Sequence, residues 1–284
     1  MINPIRLCPD RNVGQRSDTV GNDIFNLSNL SDLLHLLGAE AGDAAVHAES
    51  LSIPRRRLRA GAALFHQGNV AEAIYFVGAG TFKIFRTAED GYEQVLGFLS
   101  RAEVLGFDAV CLGRHPNAAV ALEDSSVFVL QQPDIFTLAQ RLPIFDRALH
   151  LAVSRQLTRR GEIAEVMAAV AAEVRLARFL VQLSQQMAAC GQSPRRLLLR
   201  MSRRDIASHL GVAHETVSRS FSALSEWGYL RVNNRELEII ELEGLKSYSR
   251  STRGLVDAAN SSARAKVTVL KIPTARAVSR MAKA

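Results

Sequence analysis

Three side chains in one short stretch carry the most specific chemistry of this chain: Glu215, Ser218 and Arg219, a carboxylate, a hydroxyl and a guanidinium at i, i+3 and i+4. On a helix that spacing puts all three on one face. A carboxylate can accept from an exocyclic base amine, and a guanidinium can donate two parallel bonds to guanine O6 and N7. His214 opens the same stretch, and Val217, Phe221 and Leu224 form an apolar stripe that can seat the helix while the polar set points away. Upstream lies a cluster of guanidinium groups, Arg195, Arg196, Arg200, Arg203 and Arg204. Of these, Arg200, Arg203 and Arg204 are placed to meet phosphates and fix the register of a bound duplex.

The elements that must position these groups can be read from their neighbours. Ser202 stands three residues before Asp205, the spacing of a capping box, so a helix starts there. Ile206, Ala207 and Leu210 give it one apolar face, and Gly211 supplies the residue without Cβ that a left-handed stop needs. Gly228 ends the second helix; Tyr229–Val232 and Glu236–Ile240 then alternate as strands about a turn at Asn233–Asn234. A bare helix–glycine–helix pattern also fits a plain helical hairpin with a solvated face. Cap, glycine turn, wing and polar set together favour a winged helix-turn-helix.

With those residues in view, the chain resembles the Crp/Fnr family of transcription regulators, and within it the Fnr and FixK branch. The pattern Glu-x-x-Ser-Arg stands at Glu215–Arg219, behind the frame Asp205-Ile206-Ala207-x-x-Leu210-Gly211. Gly61–Asn69 is similar to the family's Gly-x-x-Leu-Phe-x-x-Gly-Asp turn, and Leu105–Ala109 through His115-Pro116 is similar to Fnr. The resemblance spans about residues 28 to 245. It implies a homodimer on double-stranded DNA, with Glu215, Ser218 and Arg219 reading half-sites like TTGAT. Two positions depart from the pattern. Ala213 stands where Thr is frequent, and His214 replaces an apolar residue or an arginine, which bears on the flanking base.

Composition agrees with a polyanion-binding protein. The chain has 284 residues, 48% of them hydrophobic, and a net charge of +7, with a pI near 9.8. That is enough chain for two cored domains and too much apolar content for wholesale disorder. No run approaches the roughly 20 apolar residues of a membrane span, and the N-terminus lacks a signal peptide's apolar core, so the expected address is cytoplasmic and no membrane is an expected partner. No P-loop, dinucleotide fingerprint, metalloprotease helix or nucleophile elbow is present, so the chain is not expected to be an enzyme.

The expected architecture is α+β in five segments. Residues 1–27 are polar and turn-rich and are expected to form a flexible arm. Residues 28–142 open with Leu30, Leu33, Leu34 and Leu37 on one helix face and continue as short apolar runs, including Ala73–Val77, Thr81–Phe85, Gln94–Leu99 and Val127–Leu130. Such runs suggest an antiparallel barrel or jelly roll; the resemblance makes it the double-stranded β-helix of cyclic-nucleotide-binding domains. Residues 143–172 carry Phe145, Leu149, Val153, Leu157, Ile163, Met167 and Val170, continued by Val174, at threes and fours with a skip at Arg160. That stripe can pair two protomers or pack on its own β-domain; the resemblance implies a dimerisation helix. It also places Glu162 at the dimer contact, where like charges would oppose pairing. Residues 173–249 form the winged helix-turn-helix and 250–284 a basic disordered tail.

What the β-domain senses is less determined. Cyclic-AMP-binding relatives place Gly-Glu and Arg-Ser/Thr pairs in a phosphate cassette; here the positions hold Gly106-Phe107 and Asn117-Ala118. Fnr proteins hold a four-cysteine [4Fe–4S] cluster. This chain has three cysteines, Cys8, Cys111 and Cys190, with Phe128 at the internal ligand position. Neither cofactor is expected, nor any metal site among the histidines. Haem, an unidentified small ligand and thiol redox chemistry stay open as signals, as does a constitutive architectural DNA-binding role. By resemblance, the turn Gly91, Tyr92 and Glu93 is a contact for RNA polymerase and the regulator is an activator.

Overall fold

Alternating apolar residues between 52 and 131, joined by the strand at Phe25–Asn29, pair into two antiparallel sheets. The strands are β1 (Phe25–Asn29), β2 (Ser52–Leu58), β3 (Ala63–Phe65), β4 (Ala73–Ala79), β5 (Phe82–Thr87), β6 (Glu93–Leu99), β7 (Val104–Leu105), β8 (Ala118–Ala121) and β9 (Ser125–Gln131). One sheet runs β1-β2-β9-β4-β7, the other β3-β8-β5-β6. The period of two along β4 and β9 sends Val77 and Val127 into the core shared with Phe65, Phe82 and Ile84 of the second sheet. It sends Ile74, Phe76, Phe128 and Leu130 to the other face, against helical residues. Gly80 makes the β4–β5 turn at φ +90°, and a Cβ there would stand 2.0 Å from the Ser125 hydroxyl, so only glycine fits.

The computed structural model describes residues 25–39 and 51–251. Two compact units emerge: the chain up to Ala164 together with Leu198–His214, and Glu165–Leu197 together with the residues from Glu215 on. The first unit holds the β-roll, α1 (Leu30–Leu36), α2 (Gln132–Arg141), most of α3 (Pro143–Met167) and α5 (Arg203–Leu210). Leu142 is extended before Pro143, as a residue preceding proline prefers, and this separates α2 from α3. The second unit holds α4 (Ala172–Ala189), nearly all of α6 (His214–Glu226), β11 (Leu230–Asn233), β12 (Glu236–Ile239) and α7 (Leu242–Ser249). Strand β10 (Arg196–Leu198) completes the small sheet β10-β12-β11. Arg178 of α4 ties down the end of α7, donating to the Ser249 and Ser251 carbonyls at 2.8 and 3.0 Å, which gives orphan carbonyls a cationic partner.

Several sequence expectations need correction. The arm does not extend to 27, because Phe25–Asn29 pairs antiparallel with Ser52–Arg56; residues 1–24, Cys8 among them, lie outside the described residues. The tail expected from 250 lies outside them from 252 onward. The wing turns one residue later than expected: Asn233 pairs with Glu236, leaving Asn234 at φ 55° and Arg235 as the loop.

The stripe on α3 is not one seam. Phe145 and Leu149 are buried in the β-roll's own core with Leu30, Ile74 and Phe76, so they have no surface left for a second protomer. Val153 packs partly against the same core, and Ile163 Cδ1 faces the Gly97 backbone of β6. Helix α3 ends at Met167, so Val170 falls in the break before α4 and is 74% exposed. Alanine-rich sequence gives no local reason for that break; Arg175 stabilises it by donating to the Ala169 carbonyl at 2.8 Å. Leu157, 64% exposed, is the one central member of the stripe that stands well clear of the core.

Candidate nucleic-acid interface

Helix α5 begins as its sequence dictates. The Asp205 amide donates to the Ser202 hydroxyl at 3.1 Å, and the Ser202 amide donates to the Asp205 carboxylate at 2.9 Å, a closed capping box. Ile206, Ala207 and Leu210 are buried, and Gly211 stops the helix in the left-handed region at φ 63°. Helix α6 then starts at His214. Val217, Phe221 and Leu224 are buried, while His214, Glu215, Ser218 and Arg219 are all exposed. Glu215 lies in the first turn, where a carboxylate is favoured by the helix dipole. The polar set is thus displayed on one face of a seated helix.

The three expected phosphate contacts differ in accessibility. Arg204 is exposed. Arg203 is partly covered, and burial pulls its guanidinium below the usual range. Arg200 is paired with Glu123 of the β8–β9 turn at 3.0 Å. Wing cations were missed by the sequence reading: Arg231 on β11 is highly exposed and bonds Glu238 at 2.9 Å. Their signal was present in the basic residues of the wing hairpin, Arg231 and Arg235.

A second set of contacts escaped sequence reasoning. The Ser208 hydroxyl of α5 donates to the Glu93 carbonyl at 2.7 Å and accepts from the Val95 amide at 2.9 Å. Lys83 reaches from β5 to both Glu93, at 2.8 Å, and Asp205, at 3.1 Å. Burial opposes the Lys83 charge, but its bonds to Glu93 and Asp205 outweigh that and hold its pKa up. Asp205 is held low by Ser202 and Lys83 against the pull of burial. His209 beside them is buried, edge-on to Phe98 at 5.3 Å, and burial drives its pKa down to about 4, an interaction with the Val95 backbone only partly opposing. The α5 residues and their partners on the roll lie more than a hundred residues apart in the chain, so no local pattern could announce them.

The region matching a ligand cassette is also on view. Gly106 turns at φ +77° into a single 3-10 turn, Phe107–Ala109. Asn117 donates to the Asp108 carboxylate at 2.9 Å, and Arg160 of α3 reaches the same oxygen at 3.5 Å. His115 is buried and stacks on Phe65 with centroids 3.9 Å apart. Burial lowers its pKa, with Asp108 opposing. At the hairpin tip, Gly91 sits at φ +83° and Tyr92 is exposed, whereas Glu93 is engaged by Lys83. Among the described residues no group of three or more His, Cys, Asp or Glu is arranged to hold a metal ion. Cys111 and Cys190 are exposed, and Phe128 is buried in the sheet core beneath Arg55. Among the described residues no helix is long and apolar enough to cross a membrane.

Comparison with known proteins gives the arrangement its family. Residues 55–141 match the cyclic nucleotide-binding domain and residues 174–248 the Crp-like helix-turn-helix domain. The transcriptional regulatory protein btr of Bordetella pertussis is 38% identical over 192 residues, covering 68% of this chain and 79% of that protein. This chain is a Crp/Fnr-family transcription regulator. The fumarate and nitrate reduction regulatory protein of Escherichia coli K12 is 30% identical to this regulator over 201 residues, covering 71% of this chain and 80% of that protein. The structure of FixK2 from Bradyrhizobium japonicum superposes on it with a TM-score of 0.62 at 26% identity, covering 71% of this chain and 99% of that one. The β-roll and the helix-turn-helix of this regulator are therefore those of the family, and its relatives regulate transcription rather than catalyse reactions.

Proposed function

We infer that this regulator binds TTGAT-like palindromes as a homodimer and activates transcription. The observation that carries the reading is the display on α6: Glu215, Ser218 and Arg219 exposed together, in the spacing of the Fnr and FixK branch, with Val217, Phe221 and Leu224 buried behind them. Arg219 donates to guanine O6 and N7, Glu215 accepts from an exocyclic amine of the paired strand, and His214 touches the flanking base. Arg204, with Arg203 and Arg200, supplies phosphate contacts. The exposed apolar residues Leu157 and Met167 mark where a second protomer would bury surface, and two recognition helices would then read one palindrome. The hairpin tip around Gly91 and Tyr92 is the surface offered to RNA polymerase.

The signal in this reading is not a cyclic nucleotide. A cyclic phosphate needs an available cation and a hydroxyl donor; Phe107 and Ala118 supply neither at the matching positions, and the nearby Arg160 guanidinium faces the Asp108 carboxylate that also accepts from Asn117. The test of the DNA reading is Arg219→Ala against duplexes with single changes in TTGAT. It should cost about 1–3 kcal/mol and relax discrimination at the guanine. An equal loss on every sequence would reduce Arg219 to a phosphate contact and end the half-site assignment.

A further inference from the structure

We propose that α5 is held by a latch on the edge of the β-roll, and that this latch restrains DNA binding until it opens. Among the described residues strand β6 is the last strand of its sheet, so its outward amides and carbonyls have no strand partner there. Ser208 meets two of them at once, the Val95 amide and the Glu93 carbonyl. Lys83 staples the same place by bonding Glu93 on the strand and Asp205 in the cap of α5. Arg200, just before the helix, is drawn to Glu123 on the next turn of the roll.

These bonds occupy what DNA would need. In the reading above, which this inference rests on, Arg200 and the start of α5 face phosphates. Here Glu123 holds Arg200 at 3.0 Å, so a phosphate arriving at that guanidinium would lie within a few ångströms of a carboxylate. Glu93 adds a second, half-exposed carboxylate beside the cap. Two acidic groups of the roll therefore guard the cations of the helix-turn-helix, and α5 must leave β6 before Arg200 can take a phosphate. The latch is also within reach of the sensor region. Lys83 and Phe85 of β5 pair with Val120 and Ala118 of β8, which directly follows Asn117. A ligand that moved Asn117 would thus displace the strand next to the one bearing Lys83.

The full-length protein tests this with Ser208→Ala, which removes both hydroxyl bonds without changing charge, and with Glu123→Gln, which removes the charge facing Arg200. Amide exchange without DNA reads the latch itself: the Val95 amide should be protected in the wild type and exchange about tenfold faster in Ser208→Ala. Fluorescence anisotropy is then run on a duplex with an inverted TTGAT repeat and on a scrambled duplex. Both variants should bind both duplexes roughly three- to tenfold tighter, the scale of one or two hydrogen bonds released. Equal exchange at Val95 in wild type and Ser208→Ala, or unchanged or weaker DNA binding by Ser208→Ala, would overturn the latch. Tightening on both duplexes without preference for TTGAT would keep the latch and remove the half-site reading. A TTGAT preference without tightening would do the reverse.

Discussion

Helices α5 and α6 are separated by three residues, Gly211–Ala213, yet they stand in opposite relations to water. Helix α5 is anchored at both ends: a closed capping box at Ser202 and Asp205, a left-handed glycine stop, and side chains of Asp205 and Ser208 bonded to the β-roll. Helix α6 begins after Ala213, which has no side-chain oxygen to cap it, and displays Glu215, Ser218 and Arg219 on an exposed face. The difference shows how a reading helix is made. Base-reading groups must stay accessible until the ligand arrives, so the neighbouring helix carries the ties to the β-roll.

The contrast can be broken by substitution. Ile206→Ala in α5 should cost about 2–5 kcal/mol in urea unfolding, because it opens a cavity at a fully buried position, whereas Arg219→Ala in α6, at an exposed position, should stay within about 0.5 kcal/mol. A comparable loss in both would mean that α6 is as engaged as α5. Acid offers the next largest effect. The His209 ring is neutral in the folded protein, with a pKa of about 4 against an ordinary 6.5. Below pH 6.5 the unfolded chain takes up a proton that the folded one refuses, so stability falls as pH drops from 6.5 to 4 and this contribution levels off below that. The loss is on the order of 3 kcal/mol. Urea midpoints measured across that range should fall in the wild type and fall less in His209→Leu, with His115 and, toward pH 4, Asp205, both held low in the fold, contributing to the slope that remains.

Capping sharpens the comparison with a smaller effect of opposite sign in each helix. Ser202→Ala removes an existing cap and should cost about 1 kcal/mol, while Ala213→Thr supplies the missing one and should gain up to about 1 kcal/mol, both read as shifts in thermal midpoint. If Ala213→Thr destabilised the protein, α6 would be shown to begin in a geometry no cap can serve. The smallest effect is expected at His214. His214→Ala should alter preference at the base flanking TTGAT by less than about 1 kcal/mol in competition binding.

The helix-turn-helix was legible because its determinants are local: a cap three residues from its partner, apolar spacing, and a glycine where Cβ is excluded. The strands of the β-roll were legible as runs, and their order in two sheets came through resemblance, since period-two alternation does not encode which strand pairs with which. The α3 stripe was legible as a stripe and misread as one surface. Phe145 and Leu157 have the same apolar character and fall on one repeat, yet the first is core and the second faces water; only the distance of each from the β-roll decides. Arg200 was legible as a cation near DNA-reading residues, but Glu123 lies in a distant turn, so its engagement was invisible. The Asn234 turn was missed by one residue because both Asn233 and Asn234 tolerate the left-handed backbone, and strand register chose the second.

One hydroxyl has a consequence for how molecules of this protein behave in a crowd. An open sheet edge is a template onto which a strand from another chain can zip, the first step of many aggregates. The Ser208 hydroxyl fills the two backbone positions of β6 at Glu93 and Val95, and a helix stands behind it where the foreign strand would have to lie. The start of an edge strand in the β-roll is therefore shielded by a residue that belongs, by sequence, to the helix-turn-helix.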